Sequence, residues 1–391
     1  MTPAGRLQAA IEIVDEVIRS AIDEGPPADA IVSRYFKNRR YAGSKDRRAV
    51  RELAFRAIRR AGERPGTGRQ AIIGLASEDP SLVELFGQVR GPSALVGGEE
   101  GAAASVVPEW LVPELSPLIS RDEWQVLLER APLDLRVNVA RVSRAAMQAE
   151  LPEALPTTLS PWGLRMPAGS RIDDHPAYSQ GRIEIQDEGS QLIALACEPR
   201  DEDKLVDLCA GAGGKSLALA AAAPGATILA TDSNRDRLSK LKPRAERAGA
   251  AIETRLLSTP RELQDLEDWQ GKADVVLVDA PCSGSGTWRR NPEGRWRLTP
   301  QRLDRLTAVQ ERLLDIAAEL VRPGGRLAYA VCSLLSREGA RQIDAFLSRR
   351  SSWQIQELPI GGGRPDGAGR LLTPGHDGTD GFFVARLARP C

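Results

Sequence analysis

From Lys204 onward the chain alternates short, almost wholly apolar runs with helical stretches, and this alternation restricts the fold more than any other feature. KLVDLC is followed by GKSLALAAAA, and TILATD by RDRLSKLKPRAERAG. IETRLL, ADVVLVDA, a long helical stretch through RLDRLTAVQERLLDIAAELV and the run GRLAYAVCS follow in turn. Strands apolar on both faces and separated by helices imply an α/β fold with a parallel sheet covered on both sides. Sheets of this kind bind their ligands beyond the carboxyl ends of the strands.

The 391 residues are more than one core usually organises. Residues 1–130 show helical spacing in LQAAIEIVDEVI and AVRELAFRAI, with Ser44 as a helix start before the second, and are expected to form an all-helical domain. Residues 131–185 mix strand-like LDLRVNVA, LSPWGLRMP and GRIEIQ with the helical SRAAMQAEL, which reads as a small α+β linker domain. Residues 186–391 carry the parallel sheet. Net charge is zero, but between Arg34 and Arg69 basic residues outnumber acidic ones by ten, an excess that an anionic polymer would feel.

Five scattered cysteines without a CxxC pair, and only two histidines, argue against a disulfide framework and against a metal site. No apolar run is long enough to span a membrane, and the N-terminus lacks the apolar core of a signal peptide. A reducing cytoplasm is the expected location.

The first parallel strand ends at Asp207 and runs into Cys209, Ala210, Gly211, Ala212, Gly213, Gly214 and Lys215. The glycines allow a sharp turn and a close approach of ligand to main chain. The spacing matches neither GxGxxG nor the P-loop. The second strand ends in Asp232, placed to accept from ribose hydroxyls. A nucleoside without phosphates suits this pair of features, and S-adenosylmethionine is such a nucleoside. A generic or purely structural glycine turn is the alternative.

A fourth strand ends in Asp279-Ala280-Pro281-Cys282, and a fifth brings Cys332 to the same rim. Two thiols there, without a metal partner, are candidates for covalent chemistry; inert core cysteines are the alternative. TWRRNPEGRWRL follows the first of them. There Trp288 and Trp296 offer faces for a displaced base, and Arg289, Arg290, Arg295 and Arg297 offer charge for phosphates, although a tryptophan packed in the core is equally readable.

EIQDEGSQL, DLCAGAGGKS, ATDSNRDRL, VDAPCSGSGTWRRNPEGRW, the Cys332-Ser333 pair and GTDGFFVARL together resemble the Sun (Fmu-type, NOP2/NSUN-like) family of RNA cytosine-5 methyltransferases, in particular its bacterial ribosomal-RNA members. The resemblance implies a class I methyltransferase domain with a mostly parallel seven-stranded sheet, preceded by a NusB-like RNA-binding helical domain. It implies S-adenosylmethionine held by Cys209–Lys215, Asp232 and Asp279, and 16S ribosomal RNA as substrate, with transfer RNA as the alternative. Cys332 falls on the family's nucleophile, Cys282 on its second cysteine and Asp279 on its strand-four acid. Arg289, Arg290, Trp296 and Arg297 would meet RNA. The sequence departs from the family at RLLSTP, where Ser258 and Thr259 stand in place of an acid.

In that chemistry a thiolate adds to carbon 6 of cytosine and makes carbon 5 able to take a methyl group. Cys332 would attack, Asp279 would act as the acid toward the ring, and Cys282 would assist release. DNA cytosine-5 methyltransferases attack with the cysteine of Pro-Cys, which would here be Cys282. A ribosome-assembly factor that binds RNA without methylating it is a rival of a different class.

Overall fold

The computed structural model describes residues 1–167 and 169–391, which divide into two compact units, Met1–Arg130 with Thr287–Pro300, and Ala131–Gly286 with Gln301–Cys391.

The first unit is built on α1 (Pro3–Ile22), α2 (Ala28–Lys37), α3 (Ser44–Arg60) and α4 (Gly68–Ala76). Thr2 caps α1 by accepting from the Gly5 N–H at 3.0 Å, and Pro3 stands where no N–H is needed. Helix α3 starts at Ser44, with Gly43 as its cap. Leu7, Val14 and Val17 of α1 are buried together with Val50, Ala54 and Ile58 of α3 and Ile72 of α4. Beyond Ala76 the all-helical expectation needs correction. Residues 77–130 hold no α-helix, and their helical pieces are short 3₁₀ turns, among them Pro80–Leu85 and Glu109–Glu114. Pro108, Pro113 and Pro117 remove N–H donors every four or five residues there, and Gly91-Pro92 and Gly97-Gly98 break the stretch before them.

The unit is completed from a distant part of the chain. In Thr287–Pro300, the Glu293 carboxylate accepts from the Ala28 N–H at 2.9 Å and so caps α2, whose own cap residue is a proline. Arg295 donates to the Ile58 carbonyl at 2.6 Å and the Val106 carbonyl at 2.6 Å, and the Trp296 indole donates to Ala61 at 2.8 Å. The sequence boundary at residue 130 therefore does not enclose this unit.

In the second unit a four-stranded antiparallel sheet comes first. It contains β1 (Leu133–Val137), β2 (Leu155–Pro156), β3 (Gly163–Met166) and β4 (Ile183–Ile185) in the order β2-β3-β1-β4, with α5 (Arg144–Glu150) and α6 (Pro176–Ser179) between strands. Helix α7 (Glu188–Ala196), capped by Asp187, leads into the larger sheet.

That sheet is parallel over β5 (Lys204–Asp207), β6 (Thr227–Asp232), β7 (Glu253–Leu256), β8 (Ala273–Asp279) and β9 (Val321–Val331), in the order β9-β8-β5-β6-β7. Helix α8 (Gly214–Ala222) follows β5. The stretch after β6 is two helices, α9 (Arg235–Leu238) and α10 (Leu241–Ala248). A continuous helix would press the Pro243 ring against the carbonyl four residues back, and the break places that proline in the first turn of α10. Next come α11 (Glu262–Asp265) before β8, α12 (Pro300–Leu320) before β9, and α13 (Ala340–Arg349) after it.

The sheet has nine strands rather than the expected seven. Beyond β9 lie β10 (Gln354–Ile355), β11 (Arg364–Asp366), β12 (Gly369–Leu372) and, after the short α14 (Pro374–Asp377), β13 (Phe382–Ala388), all paired antiparallel. The chain reverses direction across the sheet between β5 and β8, so the ends of these neighbouring strands open on the switch-point crevice.

Candidate active site

At the end of β5 the chain enters the glycine loop. Gly211 has φ +56° and Gly213 φ +83°, both left-handed. At Gly213 a side chain would run into Leu241. Gly211 and Gly214 differ from Gly213 in the free space around them. A Cβ on Gly211 would meet only the Asp232 carboxylate, at 4.0 Å, and one on Gly214 only the Gln186 amide, at 3.8 Å. Both main-chain positions therefore face open space, Gly211 beside the Asp232 carboxylate and Gly214 beside the Gln186 amide.

Asp232, at the end of β6, is 2% exposed. It accepts from the Gly211 N–H at 2.8 Å on one oxygen, and from the Asn234 N–H at 2.7 Å and Arg237 at 3.1 Å on the other. A carboxylate has about four acceptor sites, so a place remains on the oxygen nearer the glycine loop. That remaining site could take a ribose hydroxyl. The loop is also tied from outside: Arg244 of α10 donates to the Ala212 carbonyl at 2.6 Å and to Glu184 of β4 at 2.8 Å. Past β7, Ser258 N–H donates to Asp265 at 2.6 Å, and Thr259 is bonded to Glu262. An acid is thus present here after all, supplied by α11.

Lys215, at the start of α8, donates to Asp279 at 2.6 Å. Burial pulls the Lys215 ammonium down, but the charge and hydrogen bond of Asp279 outweigh it, helped by Cys332, and the net direction is up. The lysine stays cationic beside the cysteine rim. Behind it, burial pushes the Asp207 carboxyl up to about 7 against the 2.6 Å bond from Ser216. Cys209 is also raised, by burial first and by Asp207 next, and Cys197 is pushed up to about 12 by burial. Neither is a nucleophile.

Strands β8 and β9 run in parallel with Asp279 opposite Ala330, so the residues just beyond each end share one rim. Cys282 Sγ and Cys332 Sγ lie 3.3 Å apart. The hydrogen bond to Cys332 and then burial hold the Cys282 thiol well above its ordinary value. Either sulfur can donate to the other. Asp279, Cys282 and Cys332 share one rim, and Lys215 of the glycine loop joins them through Asp279.

The basic aromatic stretch is placed otherwise. Trp288 and Trp296 are 1% and 2% exposed, Arg289 is buried, Arg290 half-buried, and Arg297 donates to the Gly25 and Pro26 carbonyls, each at 2.8 Å. Trp296 sits in the helical core, and a side chain enclosed there has no face for a base. The stacking expectation for Trp296 is corrected by this burial, and Arg297 is a structural link within the same unit.

Sequence reasoning also missed a set of polar residues behind the cysteines: the buried Ser285, Gln310, Ser333 and Glu338, with the half-buried Ser283. The signal was present in the serine that follows each motif cysteine. Among the described residues no group of three or more His, Cys, Asp or Glu side chains is arranged to hold a metal, and no helix is long and apolar enough to cross a membrane.

Residues 194–388 match the family model for 16S rRNA methyltransferase RsmB/F. The chain is 33% identical over 296 residues to ribosomal RNA small subunit methyltransferase B of Xylella fastidiosa (strain 9a5c), covering 72% of this chain and 68% of that protein. It is also 33% identical over 299 residues to the protein of that name from Enterobacter sp. (strain 638), covering 72% and 66%. It therefore spans about two thirds of the length of these curated relatives. Among solved structures, PH0851 superposes with a TM-score of 0.77 at 21% identity over 99% of both chains. NSun6 from Pyrococcus horikoshii with SFG gives 0.64 at 20% identity, covering 72% of this chain and 98% of that one. At these identities the structural likeness establishes the fold.

Proposed function

Since the chain belongs to the RsmB/F family of 16S rRNA methyltransferases, we propose that it methylates carbon 5 of a cytosine in 16S ribosomal RNA through a transient bond from Cys332 to the base. The observation that carries this reading is the 3.3 Å pair of sulfurs at the strand rim, with the Lys215–Asp279 pair alongside. Addition to a pyrimidine ring uses one thiol and an acid, and the second thiol on the same rim is available for release.

S-adenosylmethionine, when bound, supplies an electrophilic methyl group. The Cys209–Lys215 loop leaves room at Gly211 and Gly214 for it to lie against the main chain, and Asp232 offers the remaining acceptor site to its ribose. Asp265, whose carboxylate already takes the Ser258 N–H, stands in for the acid missing after the third strand and is the acceptor for the adenine amino group.

Cys332 adds to carbon 6 as a thiolate, and the ring electrons displaced by the new S–C bond enrich carbon 5. The Lys215 ammonium, paired with Asp279, lies close enough for its charge to reach Cys332. Asp279 meets the polar edge of the cytosine ring. The Cys332 hydrogen bond and burial hold the Cys282 thiol up, which disfavours it as the attacker and suits it to the stage at which the S–C bond breaks.

The helical unit is the RNA-binding, NusB-like part of this reading. Lys37, Arg40, Lys45 and Arg48 on α2, α3 and the turn between them are exposed and take no ion-pair partner among the described residues. Contacts from these to phosphates would position RNA without reading its sequence. Bisulfite sequencing of total RNA from a deletion strain tests the proposal. One 5-methylcytosine should vanish from 16S rRNA; an unchanged 16S pattern with a site lost from transfer RNA would reassign the substrate.

A further inference from the structure

Behind the two sulfurs the fold buries a carboxylate. Glu338, in the turn between Cys332 and α13, is 0% exposed, and no cation among the described residues pairs with it. An ionised carboxylate out of water is costly unless hydrogen bonds replace its hydration. Here four donors do so. One oxygen accepts from the Ser283 N–H at 2.8 Å and from the Gln310 amide at 3.0 Å, and the other accepts from the hydroxyls of Ser283 and Ser333.

Ser283 follows Cys282, and Ser333 follows Cys332. A single carboxylate therefore grips the residue after each motif cysteine, and neighbouring bonds brace the grip. Ser285 Oγ accepts from the Leu334 N–H at 2.8 Å, Ser333 Oγ from the Leu335 N–H at 3.1 Å, and the Cys332 carbonyl from the Gly286 N–H at 3.1 Å. Gln310 of α12 also holds the Pro281 carbonyl at 2.9 Å. The three hydroxyls also lie within hydrogen-bonding distance of one another, at 3.1 to 3.2 Å.

We propose that Glu338 is a positioning residue for the cysteine pair: it ties the backbone after each cysteine to one point and so holds the two sulfurs at their 3.3 Å separation. It touches neither base nor cofactor in this role and acts through the two loops. Its negative charge also helps to keep Cys282 protonated, after the larger effects of the Cys332 hydrogen bond and burial. The role rests on the methyltransferase reading, because only a reaction using both thiols needs them in register.

The test is Glu338→Gln in the full chain. The amide keeps the shape but loses the charge and one oxygen's acceptor capacity. Alkylation by iodoacetamide, mapped by peptide mass spectrometry without RNA or cofactor, should label Cys282 about tenfold faster at neutral pH. The methylation kcat should fall about a hundredfold with the RNA KM within about twofold, as expected when alignment and not binding is lost. Glu338→Asp should recover part of both. If Glu338→Gln does not fold, Ser283→Ala and Ser333→Ala, each removing one hydroxyl donor, should lower kcat in the same way. A lower melting temperature with an unchanged alkylation profile and kcat would overturn the proposal. A wild-type chain without methylating activity would instead sink the functional reading, and the alkylation comparison would still stand.

Discussion

Trp296→Ala separates two roles that the same residue types can play. The indole is 2% exposed in the core of the helical unit and donates to the Ala61 carbonyl at 2.8 Å. Truncating a buried tryptophan costs about 3–5 kcal/mol in lost transfer energy and cavity. Loss of the N–H bond adds about 1 kcal/mol. The sum, about 4–6 kcal/mol, is a large share of the 5–15 kcal/mol that stabilises an ordinary domain. Trp296→Phe keeps most of the packing and should cost about 1–2 kcal/mol. Hydrogen exchange read by mass spectrometry over α1 to α4 is the assay, since it reports the helical unit by itself. Trp296→Ala should collapse protection there, and Trp296→Phe should lower it modestly. Protection unchanged in Trp296→Ala, with RNA affinity reduced, would refute the burial argument and restore the stacking role.

Other consequences follow from the same geometry. Gly213→Ala should lower the melting temperature and weaken S-adenosylmethionine binding, since the new methyl group meets Leu241 at φ +83°; left-handed backbone alone costs a non-glycine residue about 1–2 kcal/mol. Arg244→Ala frees the Ala212 carbonyl and Glu184, and calorimetry should show the dissociation constant for S-adenosylmethionine rising about tenfold. Asp207 is held up to about 7 by burial, so the folded chain keeps a proton that the unfolded chain releases near 3.8. Its contribution is fully present below the unfolded value and is lost as pH rises through 7. Asp207→Asn should therefore flatten the melting temperature across that window and raise it relative to wild type on the alkaline side. Cys282→Ala should accumulate a covalent RNA adduct, seen as a shifted band on a denaturing gel; equal adduct levels in variant and wild type would remove Cys282 from product release.

The parallel core was legible because its strands are apolar on both faces and end in polar residues that packing does not require. That pattern alone put Asp207, Asp232, Asp279 and Cys332 on one rim. The helical unit was legible only as far as Ala76, where helical periodicity gives way to proline-spaced turns. Thr287–Pro300 misled because arginine and tryptophan make an RNA-facing loop and a domain clasp in the same letters. What decides between them is a carbonyl at Ile58 or Ala61, more than two hundred positions away. Glu338 was hidden for a related reason. A glutamate in a turn next to Arg337 reads as solvated, and only the convergence of β8, β9 and α12 reveals that it is enclosed by serines and an amide. The antiparallel β11 and β12 are short and half-polar and leave little periodic signal.

The central assignment is tested most directly by incubating the chain with S-adenosylmethionine and RNA carrying 5-fluorocytosine, whose fluorine blocks release, and then mapping the modified peptide. The base should be found on Cys332, with none on Cys282. Attachment at Cys282, or trapping that survives Cys332→Ala, would contradict the account.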